Sequence, residues 1–288
     1  MSKTTAIFNS LSNNRTGRAL RELFGKNAPE VSKKLFDSAS LPVASGAGLS
    51  PLIWDSCPRG LMLTDPTSGH FVGDDFAFTS SESYTTAKDY VLAGTSGTFA
   101  ATAATPEGVA LISAPGTDND EANVNHAINP GLIKLDATKD WWFEARVKIN
   151  QITTAQGVFV GLIEDSITMG TTFMTDDTMA MKVQDNIGFQ ILAATDSAAI
   201  WQATFTLAAR VALDATLATA STDYVKLGMK SVQGAVSFFV DGVALAATTT
   251  AATNFPLNKY VVPAFATKCG SAAANTLSVD WWYAAQTR

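Results

Sequence analysis

Glu144 lies in the run WWFEARVKI (residues 141–149), and Glu164 with Asp165 closes the run GVFVGLIED (157–165). Two carboxyl groups about 5–5.5 Å apart across a glycosidic bond would make a retaining hydrolase, one acting as nucleophile and the other as proton donor. Glu144, however, shares its face of an extended strand with Arg146 and Lys148. Glu164 and Asp165 fall at a strand end, where acids serve as solvated turn residues. The spacing supplies no carboxylate pair, and the expectation is that the chain is not an enzyme.

The other reactive side chains are sparse. His70 and His126 are the two histidines, and neither lies in a nucleophile-elbow or cysteine-protease signature. Cys57 and Cys269 form no CxxC motif and read as reduced thiols of a chain made in the cytosol. Two histidines and two separated cysteines fall short of a zinc site. The acidic stretch GTDNDEANVN (116–125) lacks the sixth-position glycine and terminal glutamate of an EF-hand loop. MTDDTM (174–179), with Asp176 and Asp177, is weaker still. Gly46-Ala47-Gly48 is no phosphate loop. Neither a metal nor a cofactor is expected.

The tryptophans remain. Four of the six sit in two adjacent pairs, Trp141-Trp142 and Trp281-Trp282. Neighbouring side chains on a strand point to opposite faces. Strand parity puts Trp141 and Trp281 with the apolar sets and turns Trp142 and Trp282 outward, as candidate surface contacts. An outward indole beside Glu144 or Asp280 could be a sugar platform. It could equally anchor a protein contact, or be covered within the same subunit by the apolar knots of residues 51–63.

These side chains are positioned by three regions. Residues 1–45 form a basic arm: residues 1–40 hold seven basic and three acidic groups, a net of +4 on a chain of −6, so residues 41–288 carry −10. Leu20, Leu23 and Phe24, then Leu35 and Phe36, recur at the spacing of short helices. Residues 46–70 are rich in Pro and Gly and read as an extended linker. Residues 71–288 alternate in hydrophobicity with period two. Asp241-Gly242 between apolar runs marks a hairpin. The expected fold is an all-β antiparallel β-sandwich of two sheets behind a short helical and extended arm. Only 16% of the chain is charged, against about 25% ordinarily, which suits a protein packed against others. The N-terminus lacks the apolar stretch of a secretory signal, and no run approaches the roughly 18 apolar residues of a membrane helix. Neither membrane nor nucleic acid is an expected partner.

The order WWFEARVKI, VFVGLIED, DYVKLGMK, FFVDGVAL and NTLSVDWWYAAQ resembles a concanavalin-like jelly roll, with GDDFAF (73–78) as its opening strand. The Glu-x-Asp-x-x-Glu strand of that fold's glycosidases does not occur here. Behind a basic arm, this version resembles the capsid decoration or cement proteins of tailed-phage virions. That resemblance implies a structural protein of the capsid exterior, made in the host cytoplasm. Its partners would be the major capsid protein and copies of itself, as a homo-oligomer such as a trimer. The arm and linker would dock through Arg15, Arg18, Leu20, Arg21, Leu23, Phe24, Lys33, Lys34, Leu35, Phe36, Leu52, Ile53 and Trp54. The alternative is a lectin-like, carbohydrate-binding protein of host recognition.

Overall fold

The structure is a computed structural model and describes residues 48–76, 89–101, 108–127, 131–152, 155–165, 172–176, 181–182, 184–193 and 200–288. Within these, two short helices, α1 (Pro51–Trp54) and α2 (Arg59–Thr64), precede sixteen strands. The first sheet runs β14 (Val243–Thr249), β13 (Ala235–Val240), β12 (Val225–Val232), β7 (Trp141–Ile149), β16 (Asn275–Thr287), β4 (Ala110–Ala114) and β3 (Thr98–Ala101). A further strand, β1 (Gly69–Asp74), pairs with the C-terminal half of β16. The second sheet runs β11 (Arg210–Thr219), β10 (Ile200–Thr206), β9 (Asn186–Ala193), β8 (Gln156–Glu164), β15 (Tyr260–Cys269), β5 (Glu121–His126) and β2 (Tyr90–Gly94). In that sheet β6 (Ile133–Lys134) also pairs with β15. Every ladder is antiparallel. The expected two-sheet sandwich is the fold observed.

Period-two alternation explains the core. Trp141, Phe143, Ala145, Val147 and Ile149 of β7 face Val158, Val160 and Leu162 of β8 and Ile187, Phe189 and Ile191 of β9 across the sheet interface. Phe189 meets Phe238 of β13 edge-on, with ring centroids 5.7 Å apart. Asp241 and Gly242 take positive φ values of 49° and 78°, the backbone a two-residue hairpin requires. Pro263 sits in β15 where β6 (paired through Val261) has ended and β5 (paired from Ala264) has not begun. A residue without an N–H fits that gap in the ladder.

Two expectations are corrected here. The linker is not wholly extended: Pro51 opens α1 at a first-turn position, where its missing N–H costs nothing, and α2 follows. Both helices lie on the outer face of the first sheet. There Ile53, Trp54, Cys57 and Met62 pack on Trp142, Phe239 and Ala285. We call residues 48–64 the strap. The opening strand also begins earlier than expected, at Gly69; residues 77–78 lie outside the described part.

The strap seals Cys57, whose thiol is pushed up to about 12 by burial. Replacing Trp54 by Ala removes a fully buried indole and should lower unfolding free energy by about 3–5 kcal/mol in urea titrations. In the same variant Cys57 should become reactive toward a thiol reagent at pH 8, whereas in the parent chain it stays inert.

Candidate functional site

Outward-facing residues of each sheet are the ones available for function. On the first sheet, Glu144 of β7 points under the strap and is fully buried. Its Oε2 accepts hydrogen bonds from Trp54 Nε1 (2.6 Å) and from the Ser50 backbone N–H (3.0 Å). Lys226 Nζ donates to Gly48 O (3.0 Å), and Lys230 Nζ to Asp55 Oδ1 (3.0 Å). Burial is the largest influence on the Glu144 carboxyl and raises it above its ordinary value. The Ser50 and Trp54 donors and the Lys226 charge pull it the other way. Glu144 therefore anchors the strap.

The second sheet carries a comparable cover on its outer face. Phe173, Met174 and Met181 pack on Phe159, Ile163, Val262, Ala264 and Ala266. Glu121 of β5 accepts from the backbone N–H groups of Phe173 (2.7 Å) and Met174 (3.0 Å) through Oε1. Lys268 of β15 donates to Glu121 Oε2 (3.2 Å), Met174 O (3.1 Å) and Asp176 Oδ1 (2.7 Å). Burial raises the Glu121 carboxyl against the Lys268 charge. The bond from Lys268 lowers the Asp176 carboxyl. The acidic stretches noted in the sequence thus hold a lysine and a covering segment.

Beside this cover the same face turns polar. Cross-strand register places Asn186 of β9 opposite Thr206 of β10, and Thr206 opposite Arg210 of β11. Gly188 lies opposite Thr204, and Gln190 opposite Gln202. Arg210 reaches across both rows: its Nε donates to Gln190 Oε1 (3.0 Å) and its Nη2 to Gln202 Oε1 (2.8 Å). Gly161 and Gly188 pair beneath the Phe159 ring, close enough that a Cβ on Gly188 would approach that ring to 3.1 Å and the Val160 carbonyl oxygen to 2.5 Å. Asn186, Gln190 and Thr206 are fully buried, yet Asn186 Oδ1, Gln190 Nε2 and Thr206 Oγ1 have no hydrogen-bond partner. Gln202 and Arg210 are half-buried and form the open rim. Burial lowers the Arg210 pKa. Buried donors and acceptors left unmade are costly. An array of amides, hydroxyls and one guanidinium beside an aromatic ring suits a ligand rich in hydroxyl groups.

The sequence-predicted residues are placed differently. Arg15, Arg18, Leu20, Arg21, Leu23, Phe24, Lys33, Lys34, Leu35 and Phe36 lie outside the described residues. Leu52 is exposed, whereas Ile53 and Trp54 are fully buried against the chain's own first sheet. Trp142 points outward from its strand as expected but is covered by the strap, with Nε1 donating to Ser56 Oγ (3.3 Å). Trp282 reverses its expected direction. A register irregularity in β16 between Val279 and Trp281 shifts the alternation, so Val279, Trp282 and Ala284 all face the core. Trp282 Nε1 donates to Tyr90 Oη (2.8 Å), which donates to Asp74 Oδ2 (2.8 Å). Trp281 takes the outer side, packed on Tyr283 with centroids 5.7 Å apart. Neither Trp142 nor Trp282 is a surface contact. The polar array was the residue set missed. Its signal was available: Asn186 and Gln190, then Gln202, Thr204 and Thr206, recur at even spacing along two strands, opposite apolar neighbours.

No protein-family model and no curated protein sequence matches the chain. Solved structures do share its fold. A GH16 of the Bacteroides ovatus mixed linkage glucan PUL, in complex with its G4G4G3G product, superposes with a TM-score of 0.51 at 12% identity, covering 73% of this chain and 98% of that one. A glycoside hydrolase family 16 endo-glucanase from the same organism, in complex with G4G3G-2F-DNP, gives 0.50 at 11%, covering 73% and 98%. Peanut lectin with a 9mer peptide gives 0.50 at 11%, covering 76% and 98%. The sandwich is a concanavalin-like jelly roll, and at these identities the likeness concerns the fold alone.

The expectation that the chain is not an enzyme is corrected by these matches, since two of the three are glycoside hydrolases on this fold. The sequence test looked for acids along one strand, and acids brought together from separate strands escape it. For Glu144 itself the structure makes a specific prediction. Its folded carboxyl titrates above the unfolded value, so the protonated form is favoured in the native state, and stability is lost as pH rises from about 4.5 upward. Glu144→Gln keeps an acceptor for Trp54 without the charge. Its stability relative to the parent should be smallest near pH 4 and should increase as pH rises above about 4.5 in denaturant titrations.

Proposed function

We propose that the chain is a lectin-like, carbohydrate-binding protein whose ligand lies on the outer face of the second sheet. The reading is carried by the array around Gln190, where fully buried amide and hydroxyl groups lack partners in the folded chain. Sugars offer hydroxyls that donate and accept at once, so one saccharide could satisfy Asn186 Oδ1, Gln190 Nε2 and Thr206 Oγ1 together. The related folds support the same class of ligand: one is a lectin, and one holds the glucan-derived product of its own reaction.

Capsid decoration is the weaker reading. Its contacts fall mainly on residues 1–47, outside the described part, and two of its remaining residues, Ile53 and Trp54, belong to the strap and are buried against the chain's own first sheet. The array, by contrast, has no structural duty that uses all its polar atoms.

A glycan array followed by calorimetry on the binders tests the proposal. Gln202→Ala, on the half-buried rim, should weaken binding by about tenfold or more. Gln190→Ala should weaken it as well and, because Gln190 is fully buried and accepts from Arg210, should also lower the thermal midpoint. Reducing ends are assayed in the same samples, and their release would show that the chain also hydrolyses its ligand. A chain that binds no glycan, or variants that bind as the parent does, would remove the basis for this function.

A further inference from the structure

The cations of this protein are not treated alike. Arg146 pairs with Asp280, Lys134 with Asp136, Lys230 with Asp55, Lys259 with Glu164 and Asp185, and Lys268 with Glu121 and Asp176. Arg210 is half-buried and, like Lys148, Lys182 and Lys226 among the described residues, forms no ion pair with a carboxylate. Its two hydrogen bonds go to neutral amide oxygens, those of Gln190 and Gln202. Residues 41–288 carry a net charge of −10, so a scarcity of acids does not explain the omission. A cation partly withdrawn from water without a counter-charge is unfavourable, and an anion arriving from outside would relieve it.

We propose that this face selects saccharides bearing a carboxylate, with Arg210 as the partner of that group; the inference rests on the carbohydrate reading above. A guanidinium has five N–H donors. Two are engaged by Gln190 and Gln202, and the rest remain for a ligand. The two glutamine bonds also fix the plane of the fork, which favours a planar carboxylate taken in a bidentate manner. Thr206, directly opposite Arg210, and Gln190 each bring a further unpartnered donor atom. Asn186 Oδ1, opposite Thr206, is an unpartnered acceptor. An inorganic anion would meet that acceptor with a lone pair, whereas a sugar hydroxyl would donate to it. The combination asks for one anionic group and neighbouring hydroxyls on the same molecule, as in a uronic acid unit.

The test uses the full chain and two probes that differ only at the carboxyl group, an oligogalacturonide as free acid and the same oligomer as methyl ester. Calorimetry should show the acid binding at least about tenfold more tightly than the ester at low salt. Raising NaCl to roughly 0.5 M should close most of that gap, because the anion's advantage is electrostatic and its rim is solvent-accessible. Arg210→Gln should bring the ratio of acid to ester affinity down to about one, whatever it does to the affinity the two share. Should that variant melt early, the salt dependence of the parent chain decides. Equal affinity of the parent for acid and ester overturns the inference and leaves neutral carbohydrate binding standing. So does a preference that survives in Arg210→Gln or at high salt, or binding of a neutral glucan alone. Failure to bind any of these saccharides overturns both.

Discussion

A β-sandwich has four sheet faces and one core, so the two outer faces must either meet water or be covered. Here large parts of both are apolar, and each is covered by an irregular segment held by a buried glutamate. Glu144 accepts the Ser50 backbone N–H and the Trp54 indole, and Glu121 accepts the N–H groups of Phe173 and Met174. A carboxyl group suits this task because its oxygens can accept several hydrogen bonds at once. Irregular segments have backbone groups that no ladder satisfies. The two anchors supply the missing acceptors and, in doing so, decide which parts of the outer faces stay open.

The covers differ in what they leave. Over the first sheet the strap runs across β7, β12 and β16, hiding Trp142 and Gly228. There a Cβ on Gly228 would lie 2.3 Å from Ile53 Cδ1. Over the second sheet the described residues around Phe173 cover the apolar part near β8 and β15, and the outer side chains of β9, β10 and β11 include amides, hydroxyls and Arg210, with Gln202 and Arg210 half-buried. The candidate site is therefore defined by an apolar cover on one side and a row of polar side chains on the other. Its chemistry is that of hydrogen bonding, with one guanidinium lacking an acidic partner.

Much of this was legible in the sequence. WWFEARVKI forms a strand over the same residues as its alternation marks, and Asp241-Gly242 turns the hairpin its residues demand. What period-two reasoning could not see was the slip in β16. One register shift between Val279 and Trp281 exchanged the faces of Trp281 and Trp282, and nothing local to VDWW announces it. The strap was misjudged for a related reason: Pro51 and Pro58 suggest extended chain, but they stand just before or at the start of the helical turns, where proline is tolerated. Glu144 was singled out as a possible reactive acid, whereas its role depends on Trp54, ninety residues away in sequence. The polar array escaped because amides at even spacing look like an ordinary solvated face until burial and partners are known.

The position of β16 has a consequence for how the molecule is made. It is the last strand in the sequence, yet it lies in the middle of the first sheet, bonded to β7 along one side and to β4 and β1 along the other. Until residues 275–287 have been synthesised, β7 and β4 have no common neighbour, and Trp282 is missing from its place beside Tyr90. Sheet closure during translation is thereby deferred to the end of this stretch of polypeptide, and the earlier strands must wait with an unfilled slot between them. Ribosome-bound chains arrested before that point would expose two adhesive edges at once, which makes them natural clients for a chaperone.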